Sequence, residues 1–457
     1  MTDPLLLAAA TEATARQRSR TLEEPDWLLD ERLDAVRRVA ELPNESNTLW
    51  TTYLDLRAVK FGEVEPYEAV GLAADAARAP LPEGAAALLH VREDRLVARA
   101  LSPEARAAGV FVGTFAEVLR DRPDVLRAVV EGGRSLPGDD RFGQLARALS
   151  AIGILVHVPD GVELSGPIVL RWSVGAPGRA LVSRTVVSLG AGARAGLLEE
   201  LEAVDGAGTT ADPEAPQSQW WGTMEVALGD GATLDVAGEQ DLGPRTASFV
   251  TRQATVGDDA ILRWALAQVG GLFAKSRIDN HLVGRGGRVH QAEIAFGGGS
   301  QLFDLSSYTR HIGRDTTGDL LVKGVFQDRA RGHLKGLIAI ERSAHGTDSY
   351  LGEFGMLLSK KARSVTIPSL EIDQPDVRRA SHASSVAPID ESQVFYLMTR
   401  GVPMEEARKA ITLAFLEPVV ARIPLPDAQA RLRDLLEAKW AEGHGGAVVS
   451  GEESSAA

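Results

Sequence analysis

Nine histidines, sixty-three carboxylates and no cysteine bound the chemistry open to this 457-residue chain. Without a thiol it has no disulfide, no Cys-ligated zinc, no thiolate nucleophile and no self-sufficient iron–sulfur site, since such clusters are held mainly by thiolates. Nitrogen and oxygen chemistry remain. His281, His290, His311, His333 and His345 fall in one strand-rich stretch. No spacing among them matches a compact metal site, and a lone strand histidine is usually a hydrogen-bonded wall residue. Asp304, Asp315, Asp319 and Asp328 could form the acid and base of an enzyme acting on acidic polysaccharide. Their irregular offsets favour solvated surface carboxylates instead. Gly284-Arg285-Gly286-Gly287 and Gly297-Gly298-Gly299 lack a following Lys-Ser/Thr and a helix start, so neither is a nucleotide loop.

His382 stands apart. It follows a strand at residues 369–372 and a proline turn, and it precedes a helix that Asp390 can cap. Strands give way to helices there, and inter-domain junctions favour functional pockets. A neutral imidazole at that point could ligate a metal, with Arg378 or Arg379 holding an anion. A hydrogen bond to a backbone carbonyl is the structural alternative.

The elements that must position these residues follow from pattern and punctuation. A chain of this length exceeds one compact core, so two or three parts are expected. Hydrophobic content of 44% and charged content of 25% are those of an ordinary globular protein. A net charge of −14 argues against a nucleic-acid binder, which needs a clustered basic surface. No apolar run approaches the roughly 20 residues of a membrane span. The N-terminus lacks a basic segment before its short apolar stretch, so no secretory signal and a cytoplasmic location are expected.

Leu28, Leu29, Leu33, Val36, Val39 and Ala40 recur at helical spacing up to Pro43. Residues 50–56 read as an aromatic docking strand or turn. A strand pair is expected over 85–100, turning at Arg92-Glu93-Asp94, then helices over 114–120, 123–131 and 142–151. From Gly153 the pattern becomes short β-branched runs between small-residue turns. Leu189-Gly190-Ala191-Gly192-Ala193, Leu228-Gly229-Asp230-Gly231-Ala232, Val256-Gly257-Asp258-Asp259-Ala260 and Val283-Gly284-Arg285-Gly286-Gly287 are copies of one turn. Weaker copies follow at 326–330 and 358–362. Repeated corners between short strands mark a β-solenoid, whereas a β-sandwich would space its strands more closely. Residues 205–219 read as a mobile acidic loop. After residue 372 the pattern is helical, with Val394, Leu397 and Met398 on one apolar face, Gly401 as a helix stop and Pro403 opening the next helix. The expected division is 1–145, an N-terminal helical part with short strands; 146–372, the solenoid; 373–442, a C-terminal helical part; and 443–457, a disordered tail.

Several stretches resemble the SufB/SufD scaffold family of the SUF iron–sulfur cluster assembly system, and within it the SufD branch. They are Pro368-Ser369-Leu370-Glu371-Ile372, Asp376-Val377, Ser381-His382, Phe395-Tyr396-Leu397, Arg400-Gly401 and Ala407-Arg408. Gly336, Thr347-Asp348, Leu357-Leu358-Ser359, His311, Glu24-Pro25-Asp26-Trp27-Leu28 and residues 50–55 are also similar. The resemblance implies a mainly β fold, a right-handed parallel β-helix between N- and C-terminal helical domains. It implies a non-catalytic subunit that pairs with a SufB-like subunit and a SufC-like ABC-type ATPase, and that shares a transient iron–sulfur cluster at the SufB-like interface. Phe395, Tyr396, Leu397, Arg400 and Gly401 would then dock the ATPase, and His382 would match the family histidine implicated in cluster assembly. The chain departs from the family where Ala380 replaces a cysteine and Ala383-Ser384-Ser385 replaces Gly-Ala-Thr. Any ligand it offers is therefore nitrogen or oxygen, and thiolates come from the partner. Two other readings are a solenoid polysaccharide lyase or hydrolase and a structural homo-oligomer. Edge strands would also allow a homodimer.

Overall fold

The small-residue corners fold the chain into coils. The computed structural model describes residues 9–44, 55–69, 77–204, 214–423 and 425–444. The aromatic piece at 50–54, most of the 205–219 loop and the tail from 445 lie outside the described residues.

Five short strands, β1 (Glu65–Pro66), β2 (Ala77–Arg78), β3 (Ala87–Arg92), β4 (Arg95–Leu101) and β5 (Phe111–Thr114), precede sixteen solenoid strands. These are β6 (Ile152–Val158), β7 (Ile168–Val174), β8 (Arg179–Leu189), β9 (Arg194–Ala203), β10 (Ser218–Leu228), β11 (Thr233–Asp241), β12 (Thr246–Val256) and β13 (Ile261–Gln268). They continue as β14 (Phe273–Leu282), β15 (Arg288–Gly297), β16 (Leu302–His311), β17 (Thr317–Phe326), β18 (Arg331–Ile340), β19 (Thr347–Leu357), β20 (Arg363–Ile372) and β21 (Val377–Pro388). Even strands from β6 to β20 pair in parallel in one sheet, and odd strands from β7 to β21 pair in parallel in the other. One even and one odd strand make a coil, so there are eight coils. The parallel β-solenoid expected from the corners is therefore the fold.

The corners joining even to odd strands repeat one conformation. Gly161, Gly192, Gly231, Asp259, Gly286, Asp315 and Gly346 occupy equivalent places with φ between +51° and +72°. The N–H of each of the last six donates to a carbonyl of the next coil, for example Gly231 to Asp258 (2.7 Å), Asp259 to Arg285 (2.8 Å) and Asp315 to His345 (2.7 Å). A left-handed conformation turns that N–H along the solenoid axis, which is why glycine or aspartate recurs there. The supposed weak copies at 326–330 and 358–362 belong to the opposite row of corners, which joins odd strands to even ones.

Four layers result. Inside the solenoid lie aliphatic rows such as Leu234, Leu262 and Val289 together with Trp172, Trp220 and Trp264. The outer face of the even sheet is covered by α1 (Glu12–Thr21), α2 (Asp26–Glu41) and helices from the segment before β6, α4 (Phe115–Asp121), α5 (Pro123–Val130) and α6 (Arg141–Leu149), while α3 (Pro103–Ala107) packs Ala105 against the core inside the solenoid. Phe142 of α6 stacks on Phe249 (5.0 Å between centroids), which stacks on Trp221 (4.1 Å). The outer face of the odd sheet carries small residues, Ala237, Ala265, Ala267 and Ala292. These admit Leu416, Val419, Leu432, Leu436 and Trp440 of α8 (Met404–Val420) and α9 (Pro426–His444). Pro403 is the N-cap of α8 rather than its first residue. Lys323 fastens α8 to the sheet by donating to the Phe415 carbonyl (2.6 Å) and lying over its ring.

Two of the expected boundaries move. The solenoid ends at Pro388 rather than 372, because residues 377–388 continue the odd sheet as β21. The N-terminal part is not a separate unit either, since β3 pairs in parallel with β7 and β5 pairs antiparallel with β6. Among the described residues the solenoid is thus extended by strands at its N-terminal end, while β20 and β21 are the last strands of their sheets at the other.

The corner conformation makes a direct forecast. Asp259→Gly is expected to leave stability unchanged or raise it by up to about 1 kcal/mol, whereas Asp259→Ala lowers it by about 1 kcal/mol, because only the second retains the left-handed penalty without a polar side chain to offset it. Urea unfolding midpoints at equal m-values check this.

Candidate functional site

The sequence placed His382 on a loop between two architectures; the structure places it on β21, the last strand of the odd sheet. Its register partner is Leu351, itself paired with Leu320, and both leucines are fully buried inside the solenoid. Residues paired in a parallel sheet share a face, so His382 lies on the inner face with Ala380, Ser384 and Val386. It is exposed because no further coil covers it. Opposite, β20 contributes Thr366, Pro368 and Leu370, in register with the buried Leu334, Gly336 and Ile338. His382 is therefore at the mouth of an open solenoid end. Ala380 is two residues away on the same face.

Arg378 and Arg379 do not join it. Arg378 is paired with Asp315 (2.8 Å), and Arg379 with Asp348 (2.6 Å) while lying over the Tyr350 ring. The polar neighbour that the sequence reading missed is Glu353 on β19. It pairs with Ser384, is fully buried, and neither carboxylate oxygen has a hydrogen-bond partner. Burial pushes its pKa up to about 8, with the Ile367 main chain pulling weakly the other way and buried Glu293 adding repulsion. Gly336 makes the room: a Cβ there would stand 2.5 Å from a Leu351 methyl and 2.7 Å from Glu353 Oε1. The signal was present in the strand alternation, where Ser349, Leu351 and Glu353 occupy successive inward positions.

The remaining histidines do not converge. His311 is a wall residue: its Nδ1 lies 2.8 Å from the Thr316 hydroxyl and its Nε2 3.0 Å from the Ser349 hydroxyl. Each hydroxyl also has a main-chain acceptor, Ser349 donating to the Gly318 carbonyl (3.2 Å) and Thr316 to the Gly313 carbonyl (3.4 Å), so the ring is held on both sides by wall residues. Burial pushes the His311 pKa down to about 4. His345 lies in a corner beside Asp376 (3.4 Å) and Gln374 (3.2 Å). Among the described residues no group of three or more histidines and carboxylates is arranged to hold a metal.

The four aspartates are not a solvated row. Asp304 is fully buried between Lys275 (3.1 Å) and Lys335 (2.8 Å); burial alone would raise its pKa, but the two lysines hold the carboxyl far below the usual range. Asp315 and Asp328 hold corners, Asp328 accepting from the Gly299 N–H (2.9 Å), and Asp319 pairs with Arg422 (3.2 Å). None forms an acid–base pair over a groove.

The helix after β21, α7 (Glu391–Thr399), has its N-cap at Asp390, whose Oδ1 accepts from the Ser392 N–H (2.9 Å). Val394 and the partly buried Leu397 pack with Ile389 and Ala407. Phe395 (66% exposed), Tyr396 (57%), Met398 and Met404 point outward, so Met398 leaves the apolar face assigned to it. Arg400 lies over the Tyr396 ring, 5.3 Å from its centroid, and Gly401 ends the helix at φ +88°. Of the five residues expected to dock a partner, Phe395, Tyr396 and Arg400 are exposed, Leu397 is partly buried beneath them and Gly401 ends the helix. No helix among the described residues is long and apolar enough to cross a membrane.

Comparison with known proteins bears on the same residues. The family model for the SUF system FeS cluster assembly, SufBD core domain, matches residues 172–415. The chain is 26% identical over 424 residues to the iron–sulfur cluster assembly protein SufD of Bacillus subtilis, covering 91% of this chain and 95% of that one. It is 22% identical over 436 residues to SufB of the same organism, with 91% and 90% covered. A SufBD family protein of Staphylococcus haemolyticus is 23% identical over 433 residues, again with 91% and 90% covered.

Glu353 gives the site a pH signature. Between the ordinary glutamate value of 4.5 and about 8, the folded chain holds a proton that the unfolded chain has lost. Stability contributed by this group therefore falls as pH rises through that window, by at most about 1.4 kcal/mol per pH unit. Glu353→Gln is expected to flatten the decline between pH 5 and 8 and to be the more stable protein at pH 8. Urea midpoints of both proteins across that range check it.

Proposed function

We propose a function for this chain from one premise: the chain belongs to the SufBD core-domain family of the SUF iron–sulfur cluster assembly system. It acts as a SufD-like scaffold subunit in the cytoplasm, without catalytic activity of its own. It pairs with a SufB-like subunit and with a SufC-like ATPase that supplies the energy of nucleotide hydrolysis. The observation that carries this reading is the open terminal coil, with His382 at its mouth. Strands β20 and β21 end their sheets with unpaired backbone groups, and such edges pair with another chain or stay a liability. A SufB-like partner docked there would cover the exposed Ile372 and His382 and supply the thiolates this chain lacks. The nascent cluster is then cargo shared across that interface, with imidazole nitrogen as this chain's contribution. A second copy of the chain could occupy the same edges, which is the structural homo-oligomer reading. The scattered aspartates support no polysaccharide chemistry.

The exposed Phe395, Tyr396, Met398 and Met404 support α7 as the ATPase docking surface, since clustered aromatic and methionine side chains dominate binding energy at interfaces. Phe395→Asp with Tyr396→Asp is expected to weaken capture of the SufC-like ATPase at least a hundredfold without lowering thermal stability, because neither ring is buried. Unchanged capture in a pull-down would remove α7 from the docking surface. His382→Ala is expected to leave the three-component complex intact on size-exclusion chromatography and to lower its bound iron after anaerobic loading. Unchanged iron would sink the role of His382 and leave the scaffold reading standing.

A further inference from the structure

We infer that Glu353 supplies a carboxylate ligand, beside the His382 imidazole, for a divalent first-row metal ion such as Fe(II) entering the open end of the solenoid. The inference rests on the reading of His382 given above and extends it to a residue one coil deeper.

Buried side-chain polar atoms almost always have partners. Glu353 has no well-formed hydrogen bond at either oxygen, although it is fully enclosed and only the Ile367 main chain comes near. Its environment is built around it, because the side-chain-free Gly336 on the opposite strand β18 leaves the gap that the carboxylate fills. Glu293, buried on the same inner row two coils earlier, is half-satisfied: its Oε1 accepts from Gln291 (2.7 Å) and from Ser307 (2.6 Å), and only its Oε2 is left without a partner. A second unpartnered polar atom, Ser364 Oγ, lies on the inner face of β20 in the terminal coil.

Register puts Glu353 within reach of the mouth. It pairs with Ser384, two residues from His382 on the same inward row. Strand spacing and rise place the Cα atoms of Glu353 and His382 about 8 Å apart, a separation two such side chains span around one ion. A carboxylate and an imidazole, with the Ser384 hydroxyl between them, form an oxygen–nitrogen donor set that suits Fe(II), Mn(II) or Zn(II), and it leaves positions for ligands from a partner. Ligation would exchange an unsatisfied buried acid for a charge-compensated carboxylate. The deep carboxylate and the mouth imidazole would hold the ion before any thiolate arrives.

Mn(II), followed by loss of its aqueous EPR signal, and Fe(II), followed by anaerobic equilibrium dialysis, are titrated into the full chain. Wild type, Glu353→Gln, Glu353→Met and His382→Ala are compared. The methionine variant fills the same space without polar atoms and guards against a misfolded glutamine variant. The expected result is at least a tenfold loss of affinity for both ions in all three variants, with the Glu353 variants no less stable than wild type. Loss in His382→Ala alone would overturn the role of Glu353 and leave that of His382 intact. Loss in the Glu353 variants alone would overturn the shared site. No binding by wild type, or equal binding by all four proteins, would overturn both.

Discussion

A solenoid coil buries its inner face only against the next coil, and the rest of this structure follows from that requirement. Stacking demands that every coil repeat the same register, which fixes the left-handed residue in seven of the eight even-to-odd corners and the inward rows of side chains. It also means that a last coil must exist whose inner face and edges have no successor. At the N-terminal end, β3 to β5 extend the two sheets. At the C-terminal end, β20 and β21 end theirs, and the side chains exposed there include a histidine and hydroxyls where buried aliphatics stand one coil earlier.

The flanking helices are subordinate to that stack. Large aromatic side chains on the outer face of the even sheet receive α6, while alanines on the outer face of the odd sheet let α8 and α9 approach closely. The outer faces are thereby covered on both sides, as parallel sheets require. α7 lies beyond the last strand with its aromatic residues outward, where a moving partner could grip it without disturbing the core. The helix α7 and the open coil are thus joined by only the two residues between Pro388 and Glu391.

Much of the architecture could be read from residue patterns, because corner chemistry is local: Gly190 to Ala193, Gly229 to Ala232 and their successors announce the same turn wherever they occur. The helices were legible for the same reason, through caps and periodicity. The failures are non-local. Residues 377–388 have a polar, small-residue composition that suggests a loop, and only pairing with β19 makes them a strand. The buried state of Asp304 depends on Lys275 and Lys335, which come from strands before and after its own. Glu353 reads as one more surface glutamate until the alternation of β19 is fixed and Gly336 is seen to face it. His382 was found by its contrast with its surroundings and by family resemblance, although its setting was misjudged.

The central claim is that the exposed edges and inner face of the last coil are where a thiolate-bearing SufB-like subunit docks. Hydrogen–deuterium exchange of the full chain, alone and mixed with the SufB-like protein of the same organism, tests it most directly. The account predicts that the amides of β20 and β21 facing away from β18 and β19 exchange freely in the isolated chain and become strongly protected in the mixture, while the earlier coils change little. Unchanged exchange in β20 and β21, or protection confined to other coils in a mixture shown to form a complex, would contradict it.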